Sequence, residues 1–219
     1  MIRLPDFKKT FDFENDFYLS CQNSRIGKSI AHYELYKMSS TVPGTIVECG
    51  VFKGISLTRF AAFREIFGQE RKKKIVGFDT FGKFPTTNFS HDQKMLTTFI
   101  NDAGDQSISV AQLKKVLQHK KISNVDLIAG DINATVPAYV KADPKLKISL
   151  LNLDTDIYEP AVTILKYLYP CLVPGGVLIL DDYGIFPGET KAVDDYFKGK
   201  KVTIQKFSYT KTPRYIIKQ

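Results

Sequence analysis

Apolar positions along the chain fall into two patterns that alternate. Thr45–Cys49, Lys74–Phe78, Val125–Ala129, Ile148–Leu153 and Val177–Leu180 are short, continuous runs rich in Val, Ile and Leu. Runs of that kind predict strands buried on both faces, as in a parallel sheet. Between them the apolar residues recur every three or four positions. Leu57, Phe60, Ala61 and Phe67 form one such stripe, with Gly68 as a natural end. Val110, Leu113, Val116 and Leu117 form another within Ser109–Gln118, and Val162, Leu165, Leu168 and Tyr169 a third, stopped by Pro170. Each stripe predicts a helix. Further helices are predicted over Arg25–Met38, with Ile26, Ile30 and Tyr33 on one face, over Pro137–Ala142, and after Tyr183, with Val193, Tyr196 and Phe197 inward. Val202–Tyr209 and Arg214–Ile217 alternate around Lys211–Pro213, which predicts a closing hairpin. Five strand–helix steps and a hairpin make an α/β fold.

Two stretches stand outside this rhythm. Residues 1–24 carry Phe7, Phe11, Phe13, Phe17 and Tyr18 among polar residues. They read as an arm packed on the domain or on a second subunit. Gly82–Ser107 is polar, contains His91 and Asp92, and has no clear period. A long irregular segment in a compact domain reads as a lid or mobile insertion. Residues 1–40 are therefore assigned to an arm and helix and 41–219 to the main domain, in a chain organised as one domain overall.

The candidate chemistry sits where the strands end. Crossover connections make the strands parallel, so their carboxyl ends share one edge, and ligands of open α/β sheets bind there. Acids mark that edge: Asp79, Asp131, the pair Asp154 and Asp156, and the pair Asp181 and Asp182. Two readings of the last two pairs stand. Asp154, Asp181 and Asp182 hold a hard dication such as Mg²⁺, which takes oxygen ligands. Alternatively, Asp181 and Asp182 cap a loop and Asp154 accepts a backbone N–H. Gly50 to Gly54 form a tight turn after the first strand, which would let a ligand approach the backbone. The turn is neither GxGxxG nor GxxxxGK[ST], so neither dinucleotide nor triphosphate binding is announced. Glu48 before it would repel a pyrophosphate and favour an ammonium or a hydrogen-bond donor. Asp79 ends the next strand, where a carboxylate can accept both hydroxyls of a ribose.

Composition narrows the class. The 219 residues are 43% hydrophobic and 25% charged, as in a soluble globular protein, and no run is long enough to span a bilayer. The N-terminus lacks the apolar core of a signal peptide, which leads to the expectation of a cytoplasmic protein. Cys21, Cys49 and Cys171 have neither metal spacing nor a disulfide framework and read as reduced thiols. The net charge is +8. Its basic groups, such as Arg71–Lys74 and Lys198–Lys201, are not interleaved with aromatics and read as solvated faces. No nucleic-acid or membrane partner is expected, although an anionic substrate such as a nucleotide sugar would gain from the positive field.

Four blocks, TIVECGVFKG, VGFDTFGKFP, LNLDTDIYEP and PGGVLILDDYGIFPGETKAVDDYF, carry a resemblance. In order and content they resemble the class I S-adenosylmethionine-dependent methyltransferases, and more narrowly the macrocin-type sugar O-methyltransferases. The resemblance implies a Rossmann-like, seven-stranded, mostly parallel sheet with an antiparallel last strand and helices on both faces. It implies a methyl donor, S-adenosylmethionine, with Glu48, Gly50 and Gly54 toward the methionine part, Asp79 on the ribose, Asp131 near the adenine, and Ser56 as a further cofactor-binding residue. It assigns Asp154, Asp181 and Asp182 to Mg²⁺ and Asp154 to the catalytic base. A family histidine belongs to the middle region, where His91 is the nearest candidate for a second catalytic residue and an exposed loop histidine is the alternative. The implied acceptor is a sugar or a glycosylated or nucleotide-linked small molecule, and a homodimer is an open expectation. Thr155 stands where the family tends to have Gly, and FGKFP where FEGFP is usual. Two rivals remain: a D-x-D glycosyltransferase using Asp154-Thr155-Asp156, and a non-catalytic nucleoside-binding scaffold.

Overall fold

A computed structural model of the chain describes residues 2–219. The strands are β1 (Thr45–Cys49), β2 (Ile75–Asp79), β3 (Val125–Ala129), β4 (Ile148–Leu153), β5 (Leu172–Leu180), β6 (Gln205–Lys206) and β7 (Arg214–Ile217). They form one seven-stranded sheet in the order β3-β2-β1-β4-β5-β7-β6. The first five are parallel, whereas β7 runs antiparallel to both β5 and β6. The strand order reverses between β1 and β4, which opens a crevice at their carboxyl ends.

Alternate side chains of each strand point to opposite faces, and each face has its own core. Val47, Leu151, Leu153, Leu178 and Leu180 pack on one side with Val136, Ile164, Leu165 and Val193. Ile46, Leu150, Val177 and Ile179 pack on the other with Leu35, Leu57, Phe60 and Leu113. The helices on the first face are α6 (Ile132–Ala142), α7 (Tyr158–Tyr167) and α8 (Pro187–Phe197). Those on the second include α2 (Asn23–Ser39), α3 (Ile55–Ile66) and α5 (Val110–His119).

Several expectations change. The first 24 residues contain a helix, α1 (Thr10–Ser20), that buries none of its side chains. The stripe of α2 that turns inward is Gly27, Ala31, His32, Leu35, Tyr36 and Ser39, whereas Ile30 and Tyr33 are exposed. Its small and polar residues let α2 approach the sheet edge, which apolar periodicity alone does not register. The segment read as irregular holds α4 (Ser90–Ala103), whose buried residues are only Asp92 and Leu96. So short an apolar stripe leaves little pattern in the sequence. α6 starts five residues before Pro137, with Asp131 as its N-cap accepting from the Asn133 N–H.

The Arg71–Lys74 group is not a solvated face throughout. Lys73 is buried, and its ammonium donates to the carbonyls of Ser39 and Val42 and to Ser149 Oγ, so burial lowers its pKa to about 8. The three cysteines are free thiols. Among the described residues, no helix is long and apolar enough to cross a membrane.

Candidate active site

A cavity of about 830 Å³ opens at the carboxyl edge over β1, β2 and β4. Gly50, Ser56, Asp79, Asp131, Asp154, Asp156 and Asp182 line it, together with Lys28, His32 and Arg59 from α2 and α3. One chamber therefore holds the glycine turn and most of the strand-end acids.

Asp79 organises one wall. Its two carboxylate oxygens accept the backbone N–H groups of Phe52 (2.8 Å) and Phe81 (2.6 Å). Both phenylalanines have positive φ, 45° and 49°. A bulky residue rarely adopts that conformation unless its surroundings impose it. One carboxylate thus holds the turns after β1 and β2 together. Oδ1 also accepts from the Thr80 hydroxyl at 3.3 Å, while Oδ2 keeps a further lone pair for a ligand hydroxyl.

The glycines of the first turn have specific causes. Gly50 has φ +93°, and a Cβ on it would meet the carbonyl oxygen of Asp154 at 1.6 Å. Gly54 is the left-handed N-cap of α3, and a Cβ there would press on Leu113. Gly50 therefore answers to the β4 loop and not only to a ligand. Glu48 lies beneath the cavity and is not among its lining residues. It is fully buried, accepts a hydrogen bond from Ser56 Oγ, and leaves Oε2 without a partner. Burial pushes its carboxyl up to about 8, partly opposed by the Ser56 bond.

The acids divide into two groups. Asp154, Asp156 and Asp182 each offer an oxygen, and these oxygens lie within 4.8 Å of one another. Burial and mutual repulsion raise all three carboxyls above the ordinary range. Asp156 occupies the left-handed region (φ 62°), which Asp tolerates better than most residues. Asp181, next to Asp182, is fully buried and forms an ion pair with Lys28 while accepting from His32 Nε2 at 3.2 Å. Burial would raise Asp181, but Lys28 and His32 outweigh it and hold the carboxyl well below its usual range. Lys28 is raised in turn: burial opposes its charge, but Asp181, Asp154 and Asp182 more than offset that. Asp156 thus joins the cluster, while Asp181 faces α2.

His32 has a defined tautomer. Arg59 Nη1 lies 3.0 Å from His32 Nδ1, and a guanidinium can only donate, so Nδ1 accepts and Nε2 carries the hydrogen given to Asp181. Burial lowers the imidazole pKa despite Asp181, which agrees with a neutral ring. His91 is exposed, stacks near Phe89 and does not line the cavity. Glu189 of α8 is a further buried acid, accepting the Asp182 N–H at 3.0 Å. Lys28, His32 and Arg59 lie outside the four blocks, and Glu189 lies within the last of them with no role assigned to it by the resemblance. A polar or charged residue within the buried stripe of a helix could have signalled His32 and Glu189, whereas Lys28 and Arg59 lie outside those stripes.

The model of the macrocin-O-methyltransferase (TylF) family matches residues 32–210. The chain belongs to the macrocin-O-methyltransferase family. Among curated relatives, the mycinamicin III 3''-O-methyltransferase of Micromonospora griseorubida is 29% identical over 160 residues, which cover 71% of this chain and 61% of that protein. A tetracenomycin-class rhamnosyl 4'-O-methyltransferase of Streptomyces olivaceus is 28% identical over 162 residues, covering 73% and 60%. The chain thus spans about three fifths of the length of these relatives. Among solved structures, the calicheamicin methyltransferase CalS11 superposes with a TM-score of 0.78 at 26% identity, covering 97% of this chain and 86% of that one. The O-methyltransferase NovP shares the fold at a TM-score of 0.74 and 21% identity. The likeness to these two structures agrees with the fold described above.

Proposed function

We propose that the chain transfers a methyl group from S-adenosylmethionine to a hydroxyl of a sugar, or of a glycosylated or nucleotide-linked small molecule, with Mg²⁺ in the acid cluster. The observation that carries this reading is the single cavity in which the turn after β1, Asp79 and Asp131 face Asp154, Asp156 and Asp182. The family and the names of the relatives support it, CalS11 being described as a TDP-rhamnose 3'-O-methyltransferase.

The donor set fits a hard dication. Three clustered carboxylates with raised pKa values, Asp156 buried and Asp154 and Asp182 half-buried, are costly together, and a bound cation removes that cost. Asp154, Asp156 and Asp182 would hold it, with Asp181 available if Lys28 withdraws. Such an ion supplies Lewis-acid stabilisation of an ionising hydroxyl.

The chain's own residues do the rest. Asp154, at the end of β4, accepts the hydroxyl proton as general base. The turn after β1 lies against the methionine part of the donor, Asp79 holds its ribose and Asp131 lies near its adenine. Neutral His32 and Lys28 keep Asp181 oriented. Holding donor and acceptor in line accounts for much of the acceleration available to such a transfer.

The test is labelled methyl transfer to a panel of free, glycosylated and nucleotide-linked sugars, with Mg²⁺ or with EDTA. Asp154→Asn is expected to lower transfer about 100-fold or more while S-adenosylhomocysteine still binds. Undiminished turnover in EDTA would remove the metal from the reading, and failure to bind S-adenosylhomocysteine would remove the donor.

A further inference from the structure

The cavity contains two cations that the reaction above does not use. Arg25 lies in the first turn of α2 and is exposed, and Arg59 lies on α3 and is half-buried. Both line the cavity. The other cations there are engaged, Lys28 with Asp181 and Lys53 with the carbonyl of Ala103. Among the described residues, neither Arg25 nor Arg59 has a carboxylate within ion-pair distance. The recorded side-chain partner of Arg59 is the ring nitrogen of His32, which takes one of its five N–H donors. Burial and the Arg25 charge lower the pKa of Arg59, partly opposed by Asp181, Glu48 and Asp154.

Two like charges at one cavity wall, neither held in a direct ion pair, are stabilised by an arriving anion. A guanidinium presents parallel N–H groups that match the two oxygens of a carboxylate or phosphate. The His32 contact also fixes the orientation of Arg59, so part of the ordering cost is already met. We propose that Arg25 and Arg59 form an oxyanion subsite that clamps a carboxylate or phosphate of a ligand in this cavity. The proposal deepens the methyl-transfer reading and rests on it for the two possible sources of that anion. One is the amino-acid carboxylate of the donor, and the other is an anionic group on the acceptor, such as a diphosphate.

Calorimetry on the full chain without metal separates the sources. The ligands are S-adenosylhomocysteine, 5'-methylthioadenosine, which lacks the amino-acid carboxylate, and inorganic pyrophosphate. The proteins are the wild type, Arg25→Gln and the double variant Arg25→Gln/Arg59→Gln, each checked for an intact thermal transition. If the donor supplies the anion, the double variant binds S-adenosylhomocysteine about tenfold or more weakly and methylthioadenosine equally well. If the acceptor supplies it, S-adenosylhomocysteine is unaffected and pyrophosphate affinity falls about tenfold or more. Arg25→Gln alone, on an exposed position, moves the same ligand in the same direction. Affinities for S-adenosylhomocysteine and pyrophosphate that are equal in the wild type and the double variant overturn the subsite. A wild type that ignores S-adenosylhomocysteine but binds pyrophosphate through these arginines sinks the methyl-transfer reading and leaves the subsite standing.

Discussion

Gly50 and Asp154 meet backbone to backbone: a Cβ on the glycine would lie 1.6 Å from the carbonyl oxygen of the aspartate. The contact joins the ends of β1 and β4, where Asp154 N–H also donates to the carbonyl of Cys49. The turn after β1 and the acid cluster are therefore one mechanical unit. Gly50→Ala is expected to cost about 3 kcal/mol or more, from the clash and the positive φ together. Denaturant melts measure this. A variant as stable as the wild type would show that the two loops are not coupled.

Asp79→Asn tests whether one carboxylate holds two loops. An amide offers one acceptor atom, so either the Phe52 or the Phe81 N–H loses its partner. The expected loss is about 1–3 kcal/mol, with weaker binding of S-adenosylhomocysteine. Unchanged stability and unchanged binding would contradict the arrangement.

Lys28 and a dication are rivals for Asp181. Lys28→Met removes the ammonium that holds this carboxylate. The metal-free variant is expected to melt lower than the wild type and to gain more from Mg²⁺. Equal gains in a thermal-shift titration would mean that the lysine does not compete.

Proton release should accompany dication binding. Asp154, Asp156 and Asp182 have raised pKa values without a cation, so Mg²⁺ must displace whatever protons they retain. Affinity is expected to rise with pH, and calorimetry in buffers of different ionisation enthalpy would count the protons. A pH-independent affinity would argue that the cluster is already fully ionised.

Glu48 links stability to pH. Its folded-state pKa is about 8 against an ordinary 4.5, so the folded state holds the proton more tightly. That contribution is complete below pH 4.5 and is lost as pH rises to about 8. Glu48→Gln, which cannot ionise, is expected to show a flatter stability profile across this window. Parallel profiles for the two proteins would rule out the shift.

Asp92 joins α4 to the core. Its carboxylate accepts the N–H groups of Gly188 (2.6 Å) and Tyr158 (3.1 Å), in the first turns of α8 and α7. An acid serving two helix N-termini is stabilising through both hydrogen bonds and dipoles. Asp92→Ala is expected to cost about 1–2 kcal/mol and to speed amide exchange across α4. Slow exchange retained in α4 would show that other contacts dock it.

The sequence by itself determined the alternation of strands and helices, the breaks at Gly and Pro, and the row of acids at strand ends. Those features depend on neighbours a few positions apart and on the handedness of crossovers, so they are written locally. Tertiary packing decided which acids share a cavity. Asp181 and Asp182 are adjacent in sequence, yet one meets Lys28 and His32 while the other joins Asp154 and Asp156. It also decided that Lys73 is buried and that His32, not His91, lines the cavity. The partners of Asp181 lie 153 and 149 residues away. No periodicity reaches that far; only the docking of α2 on the sheet edge brings those charges together.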